Sequence, residues 1–281
     1  MKKIKIAITV LLSALCCAVA AGCGEQAEPT ANQLAAPQNF RIVNNKLIWD
    51  SVKNATSYSV GFYGTENVTT RAYLDLPYIY SKEAVTFSVR ALGNGETFSD
   101  SEQVSYSSRM DTSKITKGLT YVLDKSEAGY TVSGNNKVFL DEIVIPAYYE
   151  GLPVIKIEPC AFAKLTDSHQ SIGGLEVIVD PTVTTNATLK SVRLPATLKT
   201  IAGNSFAKCV ELTEITIPEG VTVIAANAFE NCKKLRTVHF PDSLKIIGMY
   251  AFRGCSSLTR VKIPEGCEVK IGAFDESVKF D

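Results

Sequence analysis

The sequence predicts a mostly β protein of two folded domains, a small antiparallel sandwich followed by a solenoid of stacked coils. Four leucines recur 23 residues apart in the second half, and prolines keep the same spacing. These residues are Leu189, Leu212, Leu235 and Leu258, with Pro195, Pro218, Pro241 and Pro264. A fixed period of about 20–50 residues is typical of a stacked array. Residues 36–107 instead contain six or seven short runs of alternating, β-branched and aromatic residues, a pattern that favours a sandwich.

The chain begins with a segment typical of export. A short lysine-containing start precedes an apolar run that ends in small residues, so we interpret residues 1–22 as a signal peptide rather than a membrane span. The sequence Ala20-Ala21-Gly22-Cys23 resembles a bacterial lipobox, which implies that Cys23 becomes the lipidated first residue. A plain secretory signal with a free cysteine is the alternative.

The segment that follows the lipobox is polar, rich in small residues and without periodicity, which predicts a flexible tether over residues 23–35. Later apolar stretches are all too short to span a bilayer. We therefore expect a protein that is exported and lipid-anchored at the bacterial cell surface, and that contacts the membrane only through its anchor.

Four segments of the first domain, residues 36–107, match one family pattern: Ala36-Pro37, Leu47-Ile48-Trp49-Asp50, Asn54-Ala55-Thr56-Ser57-Tyr58-Ser59-Val60 and Phe87-Ser88-Val89-Arg90-Ala91. In these segments the domain resembles a fibronectin type III module. The resemblance implies that Trp49 is the core aromatic residue. Phe87 stands where the family usually has tyrosine, so we expect the buried hydroxyl hydrogen bond of that tyrosine to be absent or moved. The domain is expected to act as a spacer, with binding through its loops as the alternative.

Several tyrosines of the first domain suggest an aromatic binding platform for a sugar. Tyr78 and Tyr80, beside Pro77 in an expected loop, are its most plausible members. Most aromatic residues at alternating positions in a sandwich belong to the core, which is the competing interpretation.

The second domain, residues 112–281, has a repeat in which strand residues alternate between core and solvent. Ile215 and Ile217 are predicted to point inward, with Val221 and Ile224 as a second buried row. A single helical turn is predicted to follow, with Phe229 in the core and asparagine as its N-cap. Because no coil buries its own face, the coils stack and share a core.

Three places depart from the period. An early repeat over about 142–162 carries an insertion at Tyr148-Tyr149, and residues 166–188 form a second insertion that predicts a protruding hairpin or loop. The last copy of the repeat, which begins at Leu258, lacks one residue and the recurrent cysteine, as expected of a terminal coil.

The repeat closely resembles the BspA-like bacterial leucine-rich repeat, roughly LxxLxIPxxVxxIGxxAFxxC, over about 140–281. Proteins of that family are commonly secreted or found at the cell surface and are associated with adhesion. The resemblance implies non-catalytic binding of an extracellular protein or glycan through the solenoid surface. A structural or envelope-assembly scaffold that docks a protein of the same cell is the alternative.

The outward positions of the repeat strands form the candidate binding surface, which we call the strand row. Its members are Ser191, Arg193, Glu214, Thr216, Thr237, His239, Arg260 and Lys262. They are polar and mildly basic, so the row is either a recognition surface or a plain solvated face. Tyr148 and Tyr149 are additional candidate loop contacts.

The sequence shows no catalytic or metal-binding constellation, and we predict neither enzyme activity nor a cofactor or metal. His169 and His239 lack neighbours typical of a metal site, and no nucleophile or phosphate-binding motif occurs. The formal net charge is zero, which argues against a nucleic-acid partner.

Five cysteines follow Cys23, an odd number without metal-ligand spacing: Cys160, Cys209, Cys232, Cys255 and Cys267. Cys209, Cys232 and Cys255 recur in register, which predicts a ladder of buried apolar thiols. Export permits disulfides, but three equivalent positions cannot all pair, so free thiols are favoured.

Overall fold

The computed structural model describes residues 32–126, 128–134, 138–165, 169–172, 175–178 and 182–281. These residues form strands and turns, without a helix among them. The signal segment and Cys23 lie outside the described residues. Two hydrophobic clusters are present, one centred in each predicted domain, and the first also includes Ala147 and Tyr148 of the second domain.

The first domain contains two antiparallel sheets that enclose one core. One sheet has the strand order β1-β2-β5 and the other β4-β3-β7-β8. The strands are β1 (Arg41–Val43), β2 (Lys46–Ile48), β3 (Ser57–Phe62), β4 (Thr65–Thr69), β5 (Tyr73–Asp75), β6 (Ile79–Tyr80), β7 (Val85–Leu92) and β8 (Val104–Ser108). Alternate residues of β7 are buried, as a strand with one face on a core requires.

Trp49 and Phe87 fill the centre of this core, each almost fully buried, and Trp49 thus has the core position that we expected from the resemblance. Phe87 has no hydroxyl group, and the buried hydroxyl comes from Tyr58 instead. The Tyr58 hydroxyl accepts a hydrogen bond from the backbone N–H of Val52 at 2.8 Å. The ring of Tyr58 also meets that of Trp49 edge to face, with centroids 5.2 Å apart.

The start of this domain corrects the predicted tether, which we extended to residue 35. Gln33 forms a β-bridge with Ser99, and the Leu34 N–H donates to the Ser99 carbonyl at 3.1 Å. The Leu34 side chain is buried in the sandwich core. One leucine among polar residues produces no periodic pattern, so the sequence carried no signal for this contact.

The second domain is built almost entirely from short strands. They are β9 (Thr120–Leu123), β10 (Tyr130–Ser133), β11 (Glu142–Val144), β12 (Tyr148–Tyr149), β13 (Leu152–Ile157), β14 (Lys164–Leu165), β15 (His169–Ile172), β16 (Leu175–Ile178), β17 (Val183–Thr184), β18 (Ser191–Arg193), β19 (Thr200–Ile201), β20 (Glu214–Thr216), β21 (Val223–Ile224), β22 (Thr237–His239), β23 (Ile246–Ile247), β24 (Arg260–Val261), β25 (Glu268–Val269) and β26 (Lys279–Phe280).

Equivalent strands of successive repeats pair in parallel. One ladder has the order β25-β23-β21-β19-β13-β10-β9, in which only the β10–β9 pair is antiparallel. The other contains the pairs β11–β18, β20–β22 and β24–β26, with β18 beside β20 and β22 beside β24. Ile201 pairs with Ile224, and Ile224 with Ile247, so the pairing offset equals the sequence period.

A column of phenylalanines runs through the shared core. Phe162, Phe206, Phe229, Phe252 and Phe274 stack with neighbouring ring centroids 5.1–5.2 Å apart. The inward residues Ile215, Ile217, Val221 and Ile224 are buried beside this column, which confirms their predicted orientation. One continuous core therefore joins the coils.

The turn before each phenylalanine corrects the predicted N-capped helix. Asn204 and Asn227 have φ values of 56° and 60°, in the left-handed region, where an N-cap residue does not lie. The chain then closes i→i−3 hydrogen bonds, for example from Glu230 N–H to the Asn227 carbonyl. Asparagine tolerates this conformation better than most residues, so the repeated asparagine marks a corner rather than a helix start.

The second insertion contains a hairpin, as expected. β15 and β16 pair in antiparallel register, from His169 opposite Ile178 to Ile172 opposite Leu175. The remaining parts of the insertion at 166–168, 173–174 and 179–181 lie outside the described residues.

Candidate functional site

All eight residues of the strand row are exposed. Seven of them lie on β18, β20, β22 and β24, and Lys262 directly follows β24. The inward-facing residues of these four strands pack in the continuous core. Glu214 pairs with Thr237 and Thr216 with His239 in the parallel register, so the row is regularly spaced. The structure thus brings the predicted residues together on one face with a rigid backbone.

The row has three basic residues and one acidic residue, as expected of a mildly basic surface, but its two arginines are paired with carboxylates outside the row. Arg193 contacts Glu142 at 3.4 Å, and His239 contacts Glu214 at 3.8 Å. Arg260 forms an ion pair with Asp281. Glu142 was missed because it lies in the early repeat, although its position at the start of a repeat strand indicated an outward side chain.

One end of the row opens into a cleft of about 710 Å³. Pro77 and Tyr78 of the first domain form one wall, and Arg193, Glu214 and Thr216 line the other. Its size lies within the range of about 300–1,000 Å³ typical of ligand sites. Tyr78 was a candidate platform residue in the sequence, but the sequence gave no indication that it would face the repeat domain.

The Tyr148-Tyr149 insertion joins the two domains. β12 pairs in parallel with β6 of the first domain and antiparallel with β13 of the second. The Ala147 N–H donates to the Tyr78 carbonyl at 2.7 Å, and the Glu150 N–H donates to the Tyr80 carbonyl at 2.9 Å. A backbone ladder therefore runs directly from one domain into the other.

Tyr148 is buried, which corrects our expectation that it would be an exposed loop contact. Its ring packs against Phe62 and Tyr63, with centroids 5.7 and 5.2 Å away. Only 6% of the Tyr148 surface is exposed, so its side chain is not available to a ligand. The pairing partner of this insertion lies in the other domain, and local sequence carries no signal for it.

Tyr149 lies between two other tyrosine rings. It stacks on Tyr80 with centroids 5.1 Å apart and on Tyr121 at 3.9 Å, while Tyr130 meets it edge to face. Burial is the main cause that raises the pKa of the Tyr121 hydroxyl above its ordinary value. Because its rings stack on each other, this cluster mainly fixes the domain junction.

The recurrent cysteines occupy the predicted buried ladder. Cys209, Cys232 and Cys255 are 0–1% exposed, and all five cysteines of the described residues are free thiols. Burial raises the pKa of the Cys209 thiol to about 12. The Cys209 thiol is therefore protonated at neutral pH, and the buried cysteines act as small packing groups.

Within the described ranges, no group of three or more His, Cys, Asp and Glu residues is placed to hold a metal ion. The same part of the chain contains no helix that is long and apolar enough to cross a membrane.

Comparison with known families identifies residues 179–280 as a BspA type leucine rich repeat region with six copies of the repeat. None of the curated proteins matches the sequence. The family match therefore covers the strand row, the thiol ladder and all of the phenylalanine column except Phe162.

Solved bacterial leucine-rich repeat proteins are similar over part of their length. The leucine rich repeat protein of T. pallidum is 26% identical, with 54% of this chain and 72% of that chain covered and a TM-score of 0.39. A leucine rich cell surface protein from Faecalibacterium prausnitzii is 24% identical, with 50% and 41% covered and a TM-score of 0.30. A leucine-rich repeat protein from Bacteroides ovatus is 24% identical, with 59% and 52% covered and a TM-score of 0.32.

Proposed function

We propose that this chain, with its BspA type leucine rich repeat region, is a non-catalytic surface protein that recognises an extracellular protein or glycan. The observation that carries the proposal is the strand row, eight exposed polar residues on a rigid ladder that opens into the cleft beside Tyr78. The strands of this ladder are flanked by neighbouring strands, so recognition falls to side chains rather than to a free backbone edge.

The proposal includes the location of the protein. The export segment and the lipobox ending at Cys23 support an exported lipoprotein, held at the cell surface by its acyl chains. The similar protein from Faecalibacterium prausnitzii, described as a cell surface protein, agrees with this placement. Labelling the expressed protein with a fatty-acid analogue tests it, and a Cys23→Ala variant that still incorporates label would contradict lipidation at this residue.

The first domain serves in this proposal as a fibronectin type III-like module that presents the repeat domain. Its three- and four-stranded antiparallel sheets and its central tryptophan support the assignment. Because backbone hydrogen bonds join β6 to β12, the module holds the repeat domain in a defined orientation and contributes Tyr78 to the cleft.

A binding screen with matched variants tests the role of the strand row. The soluble chain from Gly24 onward retains every described residue and is screened against host matrix proteins and glycans. Replacing Arg193, Arg260 and Lys262 together by alanine is expected to weaken binding at least about tenfold, without lowering the melting temperature, because all three side chains are exposed.

The control removes the same charge from exposed positions outside the row, by replacing Lys199, Lys233 and Lys245 with alanine. Equal binding by the two triple variants would exclude the row as the recognition surface. The alternative function, a scaffold that docks a protein of the same cell, predicts that only proteins from the producing cell are bound.

A further inference from the structure

The last coil ends in two strands that are unpaired on their outer sides among the described residues. β25 pairs only with β23, and β26 only with β24. The N–H groups of Glu268 and Lys270 donate to the preceding coil. Strand alternation then directs the N–H and C=O of Val269 away from the molecule.

Apolar side chains surround these open edges. Val269 is 38% exposed, Phe280 59% and Ile271 83%, the largest exposed fraction among the large apolar residues of the described part of the chain. Exposed apolar side chains beside open strand edges are typical of a contact surface.

Short strands and charged side chains often protect an edge from pairing, and β25 has both features. Its charges, however, have opposite signs on either side of Val269. Glu268 and Lys270 are both exposed, and they form an ion pair along the strand, so their side chains lie on the same face. If the same strand of a second molecule paired in parallel, like charges would lie opposite each other and repel. In antiparallel pairing, each Glu268 lies opposite a Lys270.

From this relationship we propose that two copies of the chain associate through their last coils, with β25 antiparallel to β25 of the second copy. Val269 then lies opposite itself, and the two Val269 residues exchange backbone hydrogen bonds. Glu268 lies opposite Lys270 of the second copy, and Lys270 opposite its Glu268. The two-fold contact covers Val269, Ile271 and Phe280 and closes the assembly at a dimer.

Charge reversal and charge exchange test this arrangement directly. Sedimentation of the chain from Gly24 onward is expected to show a concentration-dependent monomer–dimer equilibrium. Lys270→Glu places acids opposite acids at two positions and is expected to raise the dissociation constant about tenfold. Adding Glu268→Lys to the same chain restores opposite charges in antiparallel register and is expected to restore dimerisation.

Two further variants separate this effect from general changes of charge or folding. Ile271→Lys is expected to abolish dimers while the melting temperature stays within a few degrees, because the side chain is exposed. Lys233→Glu changes an exposed lysine elsewhere in the repeat domain and leaves dimerisation unchanged. A chain that stays monomeric at all concentrations, polymers larger than dimers, or a double variant no better than Lys270→Glu would each overturn the proposal. These outcomes do not depend on ligand binding by the strand row.

Discussion

The thiol of Cys232 donates a hydrogen bond to the backbone carbonyl of Phe206, with a sulfur–oxygen distance of 3.2 Å. Cys255 and Phe229 form the same bond one coil later, also at 3.2 Å. Each bond joins a coil to the one before it, and each carbonyl belongs to a member of the phenylalanine column. The recurrent cysteine is thus a buried donor that links neighbouring coils, in addition to filling space.

Cys232→Ala is therefore expected to lower the free energy of unfolding by about 1 kcal/mol, because the thiol hydrogen bond is lost while the Phe206 carbonyl keeps the bond from the Cys209 N–H. Urea denaturation monitored by fluorescence measures the change. The matched control is Cys267→Ala, since Cys267 is only partly buried; its effect is expected to stay below about 0.5 kcal/mol. Equal losses for the two variants would show that the hydrogen bond contributes nothing measurable.

The buried thiols also predict a loss of stability at alkaline pH. Burial raises the pKa of Cys209 to about 12 in the folded chain, whereas an unfolded thiol ionises near about 8.5. The stabilisation is complete below the unfolded pKa and is lost as the pH rises towards the folded pKa. At about pH 10, this one thiol is expected to destabilise the fold by about 2 kcal/mol relative to neutral pH.

Urea titrations at about pH 7.5 and about pH 10 measure this difference in the unmodified chain and in Cys209→Ala. The variant is expected to be less stable at about pH 7.5, and its loss of stability between the two pH values is expected to be smaller by about 2 kcal/mol. Tyrosine and lysine ionisation affects both chains alike and cancels in the comparison. Identical losses would contradict the assignment of the alkaline effect to this thiol.

The 23-residue period predicted the repeat core well, because an inward residue in one coil is inward in all of them. Ile224 and Phe229 lie where the alternation placed them. The period carries no information on contacts between segments outside the repeat, and so the pairing of Tyr148 with Ile79 was not predictable. The sign of φ at Asn227 was also missed, because asparagine suits both a helix N-cap and a left-handed corner.

The left-handed corner at Asn227 predicts an unusual order of substitutions. Alanine at a φ of 60° is strained, whereas glycine adopts this conformation without steric cost. Both variants lose the hydrogen bond from the Asn227 side-chain amide to Glu230. Asn227→Ala is therefore expected to be less stable than Asn227→Gly by about 1 kcal/mol.

Thermal unfolding of the same two substitutions at Thr222 provides the control. Thr222 is exposed and is not among the positive-φ residues, so glycine there should be the less stable variant. If the glycine variant is also the less stable one at Asn227, the left-handed conformation of this residue is contradicted.

The domain junction predicts that Tyr148 couples the unfolding of the two domains. Its ring packs against Phe62 and Tyr63, while its backbone pairs with Ile79 of β6. Tyr148→Ala removes the ring contacts and is expected to cost about 3–5 kcal/mol, as for other large buried aromatic residues. Because the lost contacts cross between domains, calorimetry should show one transition in the unmodified chain and two in the variant.

Tyr250→Ala is the matched control, because Tyr250 is 36% exposed and lies in the later coils, away from the junction. Its calorimetric trace should keep a single transition with a small shift. A single, merely lowered transition for Tyr148→Ala would mean that the backbone pairing of β6 with β12 is sufficient to couple the domains. In that case the sandwich would still orient the cleft beside Tyr78 through its hydrogen bonds to Ala147 and Glu150.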